Sequence, residues 1–115
     1  MLRIGQLAER SGVSVRALRY YEEQGLLVPD RTPAGQRAYP ESAVEKVRFF
    51  QQMYAAGLTS RDIAGLLPCW DTGHTNAEQR SMLQQRRDFI QGKLLDLTIA
   101  LGRLDDILAV VSSHP

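Results

Sequence analysis

The sequence predicts a mainly α-helical protein in two parts: a head of short helices carrying one small hairpin, and a single long helix that follows it. Three observations carry this expectation. Glycine and proline punctuate the first 68 residues into short periodic segments. A brief polar loop follows, and then an uninterrupted helical pattern runs over 77–112. Within that pattern, leucines and their equivalents alternate at spacings of four and three, which is the seam of a coiled coil.

Each element has its own signal. Over 4–10, Ile4, Leu7 and Ala8 share one helical face, and Ser11-Gly12 ends the segment. Ser14 is an N-cap for a second helix, with Val13 and Leu18 at the spacing of a hydrophobic staple. That helix runs to about Gln24, and Gly25 supplies the residue beyond its end. Leu26, Leu27 and Val28 form a short apolar run, 30–36 reads as a turn around Pro33 and Gly35, and Arg37-Ala38-Tyr39 returns extended to make a hairpin. Pro40 suits the first turn of a third helix, with Val44, Val47, Phe50 and Tyr54 on one face and Gly57 at its end. Thr59 caps a fourth helix that buries Ile63, Leu66 and Leu67, and Pro68 is expected to stop it. The domain reading is a head over 1–67, a linker over 68–76, a dimerisation helix over 77–112 and a tail over 113–115.

The seam of the last helix comprises Leu83, Ile90, Leu94, Leu97, Leu101, Leu104, Leu108 and Val111, with Arg87 as its one polar member. A helix of this length reaches roughly 50 Å. So small a head cannot cover so long a stripe, which makes a second copy of the chain the simplest partner.

Composition narrows the function. Hydrophobic residues make up 43% of the 115-residue chain, enough for a core, and the formal net charge is only +1, so any argument for nucleic acid rests on where the charges sit. A lone cysteine provides neither an internal disulfide framework nor a thiolate metal cage. The start of the chain lacks the apolar stretch of a signal peptide, and no apolar run approaches a membrane span, so a cytoplasmic protein without membrane contact is expected. There is no nucleophile–base pair, phosphate-cradling glycine loop or metal-ligand cluster, and the expectation is a protein that is not an enzyme and carries no cofactor.

The chemistry concentrates in the first two helices, whose tight glycine-containing junction is that of a helix-turn-helix. In such a unit the second helix reads the major groove with its N-terminal residues, here Ser14, Val15 and Arg16. Arg19 and Tyr20 lie three and four residues beyond Arg16, on the same face. Arginine makes bidentate contacts with guanine or phosphate, and tyrosine hydroxyls suit phosphate. Arg37 and Tyr39 stand on the hairpin as on a wing beside the reader helix.

These residues carry a resemblance. The runs Arg3-Ile4-Gly5-Gln6-Leu7-Ala8, Gly12 through Glu22, Gly25-Leu26-Leu27 and Arg37-Ala38-Tyr39 resemble the N-terminal signature of the MerR family of transcriptional regulators. The resemblance implies a winged helix-turn-helix head and an antiparallel coiled-coil dimer made by the long helix. It further implies binding to double-stranded promoter DNA between two widely spaced polymerase-recognition elements. Distortion of that DNA would bring both elements before RNA polymerase, so the polymerase is reached indirectly. Matching positions give Arg16 a base or phosphate contact, Arg19, Tyr20 and Tyr21 phosphate contacts, and Arg37 and Tyr39 places on the wing. Tyr21 has an alternative role, packing in the core with only its hydroxyl near DNA.

No signal is named by the residues. Metal-sensing relatives carry a cysteine where this chain has Thr75 or Asn76, so a thiolate metal site like theirs is not expected. Cys69, beside Trp70, is the candidate sensor, with a small packed thiol as the alternative. Two other functions stay open at this stage: an effector-independent repressor or DNA-architectural protein, and a protein-interaction module built on the coil.

Overall fold

A computed structural model describes residues 1–114. Its elements run α1 (Ile4–Ser11), α2 (Val15–Glu23), β1 (Asp30–Arg31), β2 (Arg37–Ala38), α3 (Ala43–Ala55), α4 (Ser60–Thr72) and α5 (Ala77–Ser113). They divide into two units, Met1–Thr75 and a second beginning at Asn76.

The first unit is built around Leu7, Leu18, Leu26, Tyr39, Val47, Phe50 and Ile63, all fully enclosed. Their spacing gives each helix one apolar stripe, and burying those stripes on one another is what stabilises helices too short to persist alone. Gly12, at φ 77°, makes the turn between α1 and α2, a left-handed conformation that a side chain would strain. Ser14 caps α2 as expected, accepting the Ala17 N–H at 3.0 Å, and Gly25 follows its end at φ 74°. Thr59 and Asp62 close a reciprocal cap on α4: Asp62 N–H donates to Thr59 Oγ1 at 3.1 Å, and Thr59 N–H to Asp62 Oδ2 at 3.0 Å.

Three local expectations are corrected. Asp30 and Arg31, read as part of a turn, form the first strand of an antiparallel ribbon, Asp30 opposite Ala38 and Arg31 opposite Arg37. The ribbon gains a further bridge that sequence patterns did not reveal, Leu2 to Tyr39, with N–H···O distances of 2.6 and 2.8 Å. The third helix begins at Ala43 rather than Pro40; the Pro40 carbonyl instead accepts from Ala43 N–H at 2.9 Å in a turn that leads into it.

The third correction concerns Pro68, which does not stop α4 but lies inside it. Packing outweighs proline's helix-breaking tendency here. Trp70, beyond the proline, stacks on Phe49 of α3 with ring centroids 5.4 Å apart, and α4 ends instead on Gly73, whose N–H donates to Cys69 O at 2.7 Å. Residues 68–72, expected as linker, are therefore helical, and only 73–76 separate α4 from α5.

The second unit is α5 alone, capped by Asn76, whose Oδ1 accepts Gln79 N–H at 2.7 Å. Its 37 residues extend about 55 Å. Every seam residue from Leu83 to Val111 is exposed, Leu97 at 67%. Off the seam, Leu95, Ile99, Ile107 and Val110 are exposed as well. Of the tail expected over 113–115, Ser113 closes α5, His114 is its C-cap and Pro115 lies outside the described residues. Among the described residues, no helix is long and apolar enough to cross a membrane.

Candidate nucleic-acid interface

The surface of α2 follows from its cap. Ser14 fixes the first turn by accepting the Ala17 N–H, and helical spacing then turns Arg16, Arg19 and Tyr20 outward while Leu18 and Tyr21 face the core. Ser14, Arg16 and Arg19 are exposed, and Val15 is half-buried. A shallow hollow is lined by Arg16, Arg19, Tyr20 and Glu23. A second, beside it, is lined by Ser14, Arg16, Ala17, Tyr20, Tyr21 and Tyr54.

Tyr21 takes the core role. It is buried, stacks on Tyr54 at 5.7 Å between centroids and meets Phe50 edge-on at 5.5 Å. Burial, and then the neighbouring Tyr54, push its hydroxyl pKa up.

Two residues that sequence reading left aside join this surface. Tyr54 and Ser60 hydroxyls lie 2.5 Å apart, and the Tyr20 hydroxyl is 3.4 Å from the same Ser60 oxygen. Ser60 is the first residue of α4, so the three hydroxyls gather at a helix N-terminus, where N–H groups and the helix dipole favour an anion. The Thr59 cap was a legible marker of that end; its proximity to Tyr20 depends on tertiary packing.

On the wing, Arg37 is exposed but engaged: its Nη1 donates to Glu22 Oε2 at 2.7 Å. Tyr39 is fully enclosed, and its hydroxyl donates to Glu22 Oε1. Its expected place on a DNA-facing wing is thus corrected to one that anchors the ribbon from beneath. Burial first, then the Glu22 hydrogen bond and charge, push the Tyr39 phenol up to about 12, while Arg37 and Arg19 pull the other way. The phenol's preference for the neutral state in the fold contributes stability that is full below pH ~10 and is lost as pH rises through about 12. Glu22 was legible as part of the quoted signature, but not as the partner of two wing residues.

Cys69 stands apart from this surface. It is half-buried and lines a cleft of about 490 Å³ with Glu45, Arg48, Phe49, Gln52, Trp70 and Gly73. Among the described residues, no group of three or more His, Cys, Asp or Glu is arranged to hold a metal ion.

Comparison with known proteins agrees with this geometry. Residues 2–68 match the family described as MerR HTH family regulatory protein. Over 98 residues the chain is 34% identical to the HTH-type transcriptional regulator HmrR of Rhizobium leguminosarum bv. viciae, covering 84% of this chain and 76% of that protein. The fold is similar to that of the transcription regulator PbrR691 from Ralstonia metallidurans CH34 in complex with lead(II), with a TM-score of 0.75 and 27% identity over 92% of this chain and 84% of the other. It is also similar in fold to HiNmlR, a MerR family regulator lacking the sensor domain, bound to promoter DNA, at a TM-score of 0.62 and 24% identity over 86% and 76% of the two chains.

Proposed function

The chain belongs to the MerR helix-turn-helix family of regulatory proteins and is a DNA-binding transcriptional regulator; from that premise we propose that it acts as a cytoplasmic homodimer, joined through an antiparallel pair of α5 helices, that distorts promoter DNA between its two polymerase-recognition elements. The observation that carries this reading is the exposed face of α2, where Arg16, Arg19 and Tyr20 stand together beyond the Ser14 cap.

In this reading Arg16 reaches base edges or phosphate in the major groove from the N-terminal turn of α2, with Ser14 and Val15 beside it. Arg19 and Tyr20 hold phosphates, and Tyr20 shares its phosphate with Ser60 and Tyr54 at the start of α4. Arg37 holds the backbone from the wing. Tyr21 and Tyr39 act from below, fixing α2 and the ribbon. The exposed α5 seam supplies the dimer, because a stripe of that length is rarely left open to water. Two heads then meet successive major grooves on one side of the duplex, with half-sites about one helical turn apart.

Capture of genomic fragments by the purified protein tests this directly. The expected result is enrichment of a pseudo-palindrome lying between promoter elements set farther apart than usual. Enrichment of unrelated sequences with no shared symmetry would support the architectural reading instead.

A further inference from the structure

Resting on the reading of Arg37 as a wing contact to DNA, we propose that Glu22 is a positioning residue that sets the wing against the reader helix by holding the Arg37 guanidinium in one orientation. Glu22 lies on α2, the same helix that carries Arg16 and Arg19, and its side chain is only 12% exposed. Both of its oxygens are used on the ribbon: Oε2 accepts from Arg37 and Oε1 from Tyr39. Those two residues are separated by one position on an extended strand, so they share a face, and one carboxylate reaches both.

The ribbon needs such a tie. Its strands are two residues each, too short to fix their own angle to the head. The Leu2–Tyr39 bridge anchors the far end of β2 through the backbone, and Glu22 anchors its side chains to the element that enters the groove. Arginine presents five N–H donors in a rigid fork, so Glu22 occupies part of the guanidinium and leaves the rest for a phosphate. Arg37 then loses its rotamer freedom when the protein folds rather than when DNA arrives, which favours binding. The carboxylate is meanwhile a negative charge behind the basic face, and it weakens the unspecific attraction of any duplex.

Preorganisation of Arg37 counts where the wing is seated against the backbone, on the operator, whereas the Glu22 charge acts on any duplex, and that difference separates positioning from simple loss of structure. The test measures binding of full-length Glu22→Gln, Arg37→Ala and the double variant to the captured operator fragment and to a random duplex of equal length, with thermal melts alongside. Each single variant is expected to lose about five- to tenfold on the operator, and the double variant to lose no more than Arg37→Ala alone, because the two residues act as one unit. Glu22→Gln is expected to hold or raise affinity for random DNA. Multiplying losses in the double variant, or equal losses of Glu22→Gln on both duplexes, would overturn the proposal. Unchanged operator binding by Arg37→Ala would overturn the wing contact itself, and the clasp with it. Should Glu22→Gln fail to fold, Arg37→Lys replaces it: an ammonium on a flexible stem lacks the planar fork that fixes carboxylate and phosphate in one geometry, so it is expected to fall with Arg37→Ala, and full operator affinity would refute the clasp.

Discussion

Arg16 and Arg19 stand nearly one turn apart on α2, both exposed, and the proposed docking gives them different work. Arg16 sits in the helix's first turn, the part that a groove admits deepest; Arg19 sits higher, beside Glu23 and Tyr20. Arg16→Ala is therefore expected to cost about 1–3 kcal/mol at the operator and to relax preference at one base position. Arg19→Ala is expected to weaken operator and random DNA alike and to reduce the salt slope by about one unit. Titrations at several salt concentrations distinguish them, and equal losses on both duplexes for Arg16→Ala would make it a phosphate contact too. These arginines were legible because helical spacing alone turns them outward. Tyr39 was not. An aromatic residue just past a two-residue strand faces core or solvent according to what packs beneath it, and here that is Glu22, seventeen residues away. Tyr54 was legible only as part of the apolar face of α3, and Ser60 not at all, for the same reason: their meeting with Tyr20 is made by the packing of three helices.

The helices were readable where local chemistry decides them. Ser14 and Thr59 each accept the hydrogen bond expected of an N-cap, and Gly12, Gly25 and Gly57 each adopt the left-handed conformation that ends a helix; Asn76 caps α5 in the same way without having been singled out in the sequence. The errors fall where distant packing outweighs local preference, and α4 is the clearest. Pro68 has no N–H for the carbonyl of Ala64, and its ring crowds the preceding turn. It is exposed, so its replacement removes little packing. Pro68→Ala is expected to stabilise the head by about 1–2 kcal/mol, read as a rise in melting temperature. A lower melting temperature would show instead that the rigid ring sets the direction of the last turn, where Trp70 meets Phe49.

For the molecule as a whole, α5 decides how many heads act together. Leu97 and Leu101 are exposed in the single chain, at 67% and 61%, and lie well inside the seam. Replacing both with Asp would bury unpaired charge in a dimer and should break it, while the head, a separate compact unit, keeps its core. Sedimentation is expected to report a monomer, and operator affinity to fall about 10²–10⁴-fold because the second head no longer binds at high effective concentration. A monomer that still binds the full operator as tightly as the parent would assign the seam another purpose. The other end of the chain bears on how such experiments are built. Leu2 pairs with Tyr39, so the backbone ahead of α1 is stitched directly to the wing. An affinity tag or fluorescent fusion placed there would pull on the ribbon and blunt operator discrimination, so purification handles belong after α5.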